Sequence, residues 1–367
     1  MAKYEPSHLK VMNTKVVYQE FLKKEALFVK EISRNTKISV PTVMKIVDFL
    51  IEKELISEQE CTITQVGRTP HMFGLNKDKY FSIGMIYEGD FLHIGMVNLA
   101  GHVFHMIQVQ CNQQYEVSAF QNIDRLLSTS DRNPDDLIGI GFGMHGVFNE
   151  KTREIIAPVI GLEQPKYIGG FIDALSEKYK VKVAVDNDTN VQAFGEYLAK
   201  TENSSEDMIY IYLGTGLGSG IILNGKIRHG ARNHCGEIGY MIFECDEKES
   251  GAGWLEKRIN VEALAKNFGI SESDNDPHKK ILAIDYVSNY LAMAINNIVF
   301  SFDIEDVVLD GSVITFLGDS VLEEIQHKLN KIAYKPVTVR KKSVAFPGLS
   351  GGGILASNLW LEEVFKR

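Results

Sequence analysis

Three short runs in this 367-residue sequence bring together side chains that could do chemistry. The first is VAVDNDTN. Asn187 can donate and accept hydrogen bonds and Asp188 can accept them, which is what adjacent sugar hydroxyls require. The same residue types start helices, so capping of the following NVQAFGEYLAK by Asp188 or Thr189 is the competing structural use. The second run is GTGLGSG, with Gly214, Thr215, Gly216, Gly218 and Gly220. A dinucleotide fingerprint needs Gly-x-Gly-x-x-Gly to open a helix. Here IIL and then Asn224-Gly225, a two-residue hairpin signal, follow the glycines, so a strand follows instead. Such a turn either aims backbone N–H groups at phosphates or is a bend with no ligand. The third run lies near the start: Ser39, Thr42 and Lys45 on one predicted helix, with Arg68 further on. These hydroxyls and cations suit phosphate and base edges. Ser39 as a plain helix cap and Lys45 as a solvated charge are the bland alternatives.

The elements that would position these residues follow from periodicity. NTKVVYQEFLKK predicts a helix with Val16, Val17, Phe21 and Leu22 on one stripe, and FVKEISRNT a second. VPTVMKIVDFLIEK predicts a third, with Ser39 at its cap, Pro41 in its first turn, and Val40, Val43, Val47, Leu50 and Ile51 inward. ELISEQECTITQVGRTPHMFGLN then predicts two short strands around a turn. Three helices and a two-stranded wing make a winged helix-turn-helix over residues 1–76, whose third helix would enter the major groove while Arg68 in the wing enters the minor groove. Beyond it, YFSIGMIYEGDFLHIGMVNLAGHVFHMIQVQ reads as successive strands, and strands lead helices twice over. Two α/β lobes are expected, at 77–200 and 201–367.

Charge is uneven. Residues 1–76 hold 11 Lys+Arg and 9 Asp+Glu, a balance of +2, whereas the remainder holds 28 and 39, a balance of -11. A slightly basic head on an acidic body suits local DNA contact rather than general nucleic-acid binding. No apolar run approaches the roughly 20 residues of a membrane span. MAKYEPSHLK lacks the apolar core of a signal peptide. Four scattered cysteines (Cys61, Cys111, Cys235, Cys245) fit a reducing cytoplasm.

The alternating glycines resemble the phosphate-2 hairpin of the actin/hexokinase-like ATPase superfamily. More closely, the chain resembles the ROK family (repressors, open reading frames, kinases) in its repressor branch. VDNDTN, LGTGLGSGII, GEIGY, GWLE, FDIEDVVLDGS and SGGGILAS carry the resemblance in the body, and ISVPTVMKIVDFLIEKELI and GRTP carry it in the head. It implies a two-lobed actin/hexokinase-like body behind the winged helix-turn-helix. Asn187, Asp188, Glu237 and Glu256 are then expected to bind a sugar, with Tyr240 in place of a family His. The segment Gly214, Thr215, Gly216 and Gly218 would be a vestigial phosphate loop.

Departures from the family bear on activity. Its kinases open the body with Asp-x-Gly-Gly-Thr. Here the matching IGMIYEGDF places Ile86 at the Asp and sets Glu88 and Asp90 beside the single glycine, where they would repel phosphate. Of the family's zinc ligands only Cys245 remains, since Tyr240 and Trp254 replace two others, so neither zinc nor ATP is expected. Val159 stands where the family has a sugar-contacting Asn after Pro158, and Phe28 where a Ser often caps the second helix. The expectation is a non-enzymatic, cytoplasmic repressor of sugar-utilisation genes. Its partners would be operator DNA and a sugar or sugar derivative, and it would act as a homodimer or homotetramer. A regulator whose body answers to a protein partner and an active sugar kinase are the alternatives.

Overall fold

The computed structural model describes residues 6–59, 71–88, 91–111, 115–157, 162–199, 205–244, 253–270 and 276–366. Cys61, Arg68, Asp90, Pro158, Val159 and Cys245 lie outside them, as does most of the predicted turn of the wing.

The head comprises α1 (Pro6–Lys23), β1 (Leu27–Phe28), α2 (Val29–Thr36), α3 (Val40–Glu52), β2 (Ile56–Gln59) and β3 (Met72–Leu75). Its three strands form one antiparallel sheet in the order β1-β3-β2. Two predicted stripes are corrected. In α1 the buried apolar residues are Val17, Tyr18 and Phe21, whereas Val16 and Leu22 are exposed. In α3 they are Val43, Ile46, Val47 and Leu50, whereas Val40 and Ile51 face out. The i, i+3, i+4, i+7 spacing of the α3 set fills one helical face, and Val40 falls outside its arc. Phe28 precedes α2 in extended conformation and offers no side-chain cap.

The body is built twice on one plan. The first half runs β4 (Phe81–Glu88), β5 (Phe91–Asn98), β6 (Val103–Gln110), α4 (Tyr115–Thr129), β7 (Leu137–Met144), β8 (Val147–Asn149), β9 (Glu154–Ala157), β10 (Leu162–Tyr167), α5 (Gly169–Tyr179), β11 (Lys182–Asn187) and α6 (Asp188–Leu198). The second runs β12 (Met208–Leu213), β13 (Leu217–Leu223), β14 (Lys226–Ile227), α7 (Glu256–Ile259), α8 (Val261–Phe268), α9 (Pro277–Phe302), β15 (Asp306–Asp310), α10 (Ser312–Leu317), α11 (Asp319–Ile332), β16 (Thr338–Lys341) and α12 (Pro347–Lys366). The large sheets have orders β11-β7-β4-β5-β6 and β14-β13-β12-β15-β16. Read from the parallel edge, each is two parallel neighbours, a central strand, then an antiparallel ribbon. The predicted Asn224-Gly225 turn joins β13 to β14, with both residues at positive φ (52° and 71°), as a type I′ hairpin requires.

Helices α4 and α5 pack on the first large sheet, and α9 and α11 contribute to the core of the second. The last helix does not stay with the second sheet. α12 runs back across β4 and β7 beside α6. Their approach is close: a Cβ on Gly195 would fall 1.9 Å from the Pro347 carbonyl oxygen. The chain entering α12 is tied to α6 through the fully buried Glu196. Its carboxylate accepts from Arg340 Nη1 at 2.5 Å, the Ser343 amide at 2.9 Å and hydroxyl at 2.8 Å, and the Val344 amide at 3.1 Å. A charge removed from water in this way needs such a full set of donors.

α12 also joins head to body. Phe365 meets Tyr18 edge-on with ring centroids 5.6 Å apart, Trp360 meets Tyr80 at 4.9 Å, and Lys15 pairs with Glu362 at 2.7 Å. Val17, Phe21, Leu361 and Val364 share one buried cluster.

Candidate functional site

The Asn-Asp pair lies where β11 gives way to α6. Asn187, rather than Asp188 or Thr189, caps the helix: its Oδ1 accepts from the amides of Thr189 (2.9 Å) and Asn190 (3.1 Å). Its Nδ2 donates to the Gly146 carbonyl at 3.0 Å, which fixes the side chain from both ends. Asp188 is bound on one side by the Thr189 amide at 2.8 Å. On the other, its Oδ2 lies 2.5 Å from His145 Nδ1. Burial opposes a charge on His145, but the Asp188 charge and hydrogen bond, helped by Glu88, outweigh it and raise the imidazole above its usual range. Next to this pair is another: Asp186 accepts from His229 Nε2 at 2.6 Å, and that hydrogen bond raises His229.

Glu237 precedes the short turn Ile238–Tyr240. Burial and the neighbouring charges of Asp188 and Glu256 push its carboxyl up to about 7. Three acidic groups thus share one partly enclosed space, and one of them holds its proton far longer than usual. Glu256 opens α7 and accepts from the Leu217 amide at 2.8 Å, which ties it to the start of β13, while burial raises its carboxyl. Of the two residues that replace zinc ligands, Tyr240 is 40% exposed whereas Trp254 is buried. Trp254 is buried against Phe243 and Tyr290, with the Arg258 guanidinium 3.5 Å from its ring centre.

These surroundings do not fit the family's zinc. Trp254 fills its place with an apolar ring, His234 is exposed, and burial raises the Cys235 thiol away from the thiolate a metal needs. Among the described residues no three His, Cys, Asp or Glu side chains are grouped as a metal site.

The nucleotide side is similarly occupied by the chain itself. Ile86 is buried and abuts Gly348 of α12. The Tyr212 hydroxyl donates to Glu88 across the space between the two large sheets. His93 lies 4.0 Å from the other Glu88 oxygen. In the glycine turn, the Gly214 amide donates to the Gly216 carbonyl, and the carbonyls of Gly214 and Thr215 accept from Val261 N and Asn260 Nδ2. The glycines of β13 face α6: a Cβ on Gly218 would sit 2.9 Å from Thr189 Oγ1, and one on Gly220 2.4 Å from the Ala193 Cβ. A phosphate here would meet the Glu88 carboxylate and would have to break its bond to Tyr212, so the residues present do not fit a nucleotide.

The head holds the remaining predicted residues. Ser39 stands at the N-cap of α3, but its hydroxyl makes no backbone cap and instead lies 2.9 Å from the Thr42 hydroxyl. Lys45 is exposed, with no ion-pair partner among the described residues. Arg68 lies outside those residues.

His145, His229, Asp186 and Tyr212 were not singled out by sequence reasoning. One signal was available: His145 sits at the end of the apolar run LIGIGFGM that forms β7. The pairing partners are far apart in sequence, so periodicity gives no hint of them.

Three comparisons place this geometry. A xylose repressor of Caldicellulosiruptor bescii is 24% identical over 360 residues, 89% of each chain. A glucokinase of Halalkalibacterium halodurans is 27% identical over 294 residues, 70% of this chain and 87% of its own. The crystal structure of a ROK family transcriptional regulator, a homologue of the E. coli MLC protein, superposes with a TM-score of 0.78 at 18% identity, covering 98% of both chains, head included. Both repressors and kinases therefore share the body. With residues 83–358 matching the model of that family, the chain belongs to the ROK family.

Proposed function

We propose that this protein is a sugar-responsive transcriptional repressor whose kinase-like body binds its effector without phosphorylating it. Its family, a repressor relative matched along 89% of both chains and a regulator structure matched through the head support that reading. The observation that carries it is the seam formed by α12. One end of this helix lies against α6, which starts at Asp188, and the other is built into the core of the head. Twenty helical residues span about 30 Å, so one rigid element joins the sugar site to α1.

In this mechanism the effector's hydroxyls are held by Asp188, Glu237 and Glu256, with Asn187 setting the position of Asp188 and Tyr240 at the rim. Closing the two halves of the body on the ligand shifts α6 against α12 and so reorients the head. Ser39, Thr42 and Lys45 of α3, and Arg68, face operator DNA, two or four heads acting together on paired half-sites. Asp188, engaged by His145, is an acceptor and not a free base, and Glu88 bars phosphate; turnover of ATP with any sugar is expected to be nil.

Gel-shift titration on DNA upstream of the protein's own gene, with and without a panel of pentoses and hexoses, tests the proposal. Binding that one sugar shifts severalfold, with the response lost in Glu237→Gln, is expected. Binding that no sugar alters contradicts the sensing half. ATP turnover that Asp188→Ala abolishes contradicts the non-enzymatic half.

A further inference from the structure

The apolar residues that α3 leaves uncovered have no role in the head's core. Val43, Ile46, Val47 and Leu50 already complete its buried face. Val40, Met44 and Ile51 flank that face and are 40%, 41% and 39% exposed; Val40 and Met44 stand four residues apart in the first two turns, where Ser39 and Lys45 are also exposed, and Ile51 stands in the last turn. Large apolar groups exposed at the start of a helix cost free energy in water, which is recovered only against an apolar partner.

The surroundings select the partner. Lys30, Arg34 and Lys37 on α2 and the turn after it, together with Lys45, make the neighbourhood of the α3 N-terminus cationic and exposed. Asp48 and Glu52 give the far half of α3 the opposite sign. A polyanion is therefore drawn to the first two turns and repelled from the last. In a duplex, the apolar group on the major-groove edge of the bases is the C5 methyl of thymine.

Spacing narrows this further. Residues four apart on a helix hold their Cβ atoms about 5–6 Å apart. Bases along one strand rise by about 3.4 Å. Val40 and Met44 therefore match methyl groups one or two base steps apart.

We propose that Val40 and Met44 read thymine methyl groups in the operator's major groove, with Lys45 on the flanking phosphate or guanine. This rests on the DNA-binding reading given above. It makes the preferred half-site one that carries two closely spaced thymines under the start of α3.

Replacing single thymines by deoxyuridine removes the methyl and nothing else. The full-length protein is first used to select its site from random duplex DNA, and affinity is then read by fluorescence anisotropy for each dT-to-dU duplex. One or two positions per half-site are expected to weaken binding, each by about fourfold, the value of burying one methyl group. In Met44→Ala one of these penalties is expected to disappear, and in Val40→Ala the other. Lys45→Ala, by contrast, is expected to weaken binding while leaving both penalties in place.

A selected site insensitive to every dU replacement, or penalties that persist unchanged in both variants, overturns this inference and leaves the repressor reading standing. A change of oligomeric state in Met44→Ala by size-exclusion chromatography assigns the residue to a subunit contact and also overturns it. Failure to select any sequence overturns the DNA-binding reading itself.

Discussion

The hairpins β4–β5 and β12–β13 occupy equivalent places in two sheets of the same topology, yet their sequences have gone separate ways. The first has Ile86 and Glu88 where the kinases of the family carry the aspartate and the first glycine of Asp-x-Gly-Gly-Thr. The second keeps Gly214, Gly216, Gly218 and Gly220. If the glycines served only phosphates, both hairpins would be free to drift once phosphate binding was lost. The packing explains the difference. β13 lies directly on α6, and Gly220 leaves no room for a Cβ against Ala193 and the Thr189 carbonyl. At the end of β4 the close neighbour is α12, but there the helix supplies the glycine, Gly348, so that Ile86 fills the space beside it while Glu88 faces Tyr212. Gly218 and Gly220 are thus accounted for by the close approach of α6, without a ligand.

The largest test of that contrast is Gly220→Ala. Forcing a Cβ to 2.4 Å from Ala193 is expected to cost about 1–3 kcal/mol. Each kcal/mol corresponds to a fall in Tm of about 2–4 °C by calorimetry for a domain of 150–250 residues. The same substitution having no effect would remove the packing explanation and return the glycines to a ligand.

His145→Gln tests the charge side of the site at its most buried pair. The folded imidazole is raised, so its stabilising contribution is complete below the usual His value of about 6.5 and is lost as pH rises through the higher folded value. Urea unfolding is expected to show a deficit on the order of 1 kcal/mol at pH 6, where the charged pair is intact, that shrinks by pH 9. An equal deficit at both values would mean that His145 only packs.

Glu237→Gln works in the opposite direction. The folded carboxyl keeps its proton to about 7 while the unfolded one releases it near its ordinary value of 4.5, so wild-type stability falls as pH rises between them. The variant is expected to match wild type near pH 4.5 and to exceed its Tm by a few degrees at pH 8. Parallel Tm profiles would contradict the crowding of Glu237 by Asp188 and Glu256.

Tyr212→Phe is the gentlest break. It removes one hydrogen bond to a partly exposed carboxylate, worth about 0.5–1 kcal/mol. Because Glu88 remains, ATP turnover is expected to stay absent; its appearance would show that the hydroxyl, and not the carboxylate, bars nucleotide.

Much of the architecture was legible in the residues. The apolar run YFSIGMIYEGDF and its successors marked the strands, and Asn224-Gly225 marked its turn, because local sterics decide both. The phase of a helical stripe proved harder. Val40, Val43 and Ile46 are equally apolar, and only the packing of α3 on α1 and α2 decides which faces in. At the site, Asp188 and Glu237 were found through family motifs, whereas His145 and Tyr212 act through partners 43 and 124 positions away. The 201–367 boundary set the last helix with the second lobe. Its position on the first sheet and in the head depends on contacts that no local pattern encodes.

In the proposed mechanism the sugar site and the DNA-reading head are coupled through α12. Coupling between two binding equilibria is reciprocal: if the sugar changes operator affinity by some factor, operator must change sugar affinity by the same factor. Isothermal titration of the effective sugar into the protein, alone and saturated with operator, measures this directly. Two dissociation constants are expected whose ratio equals the sugar-induced shift in operator binding. Identical constants with and without operator would contradict this coupling.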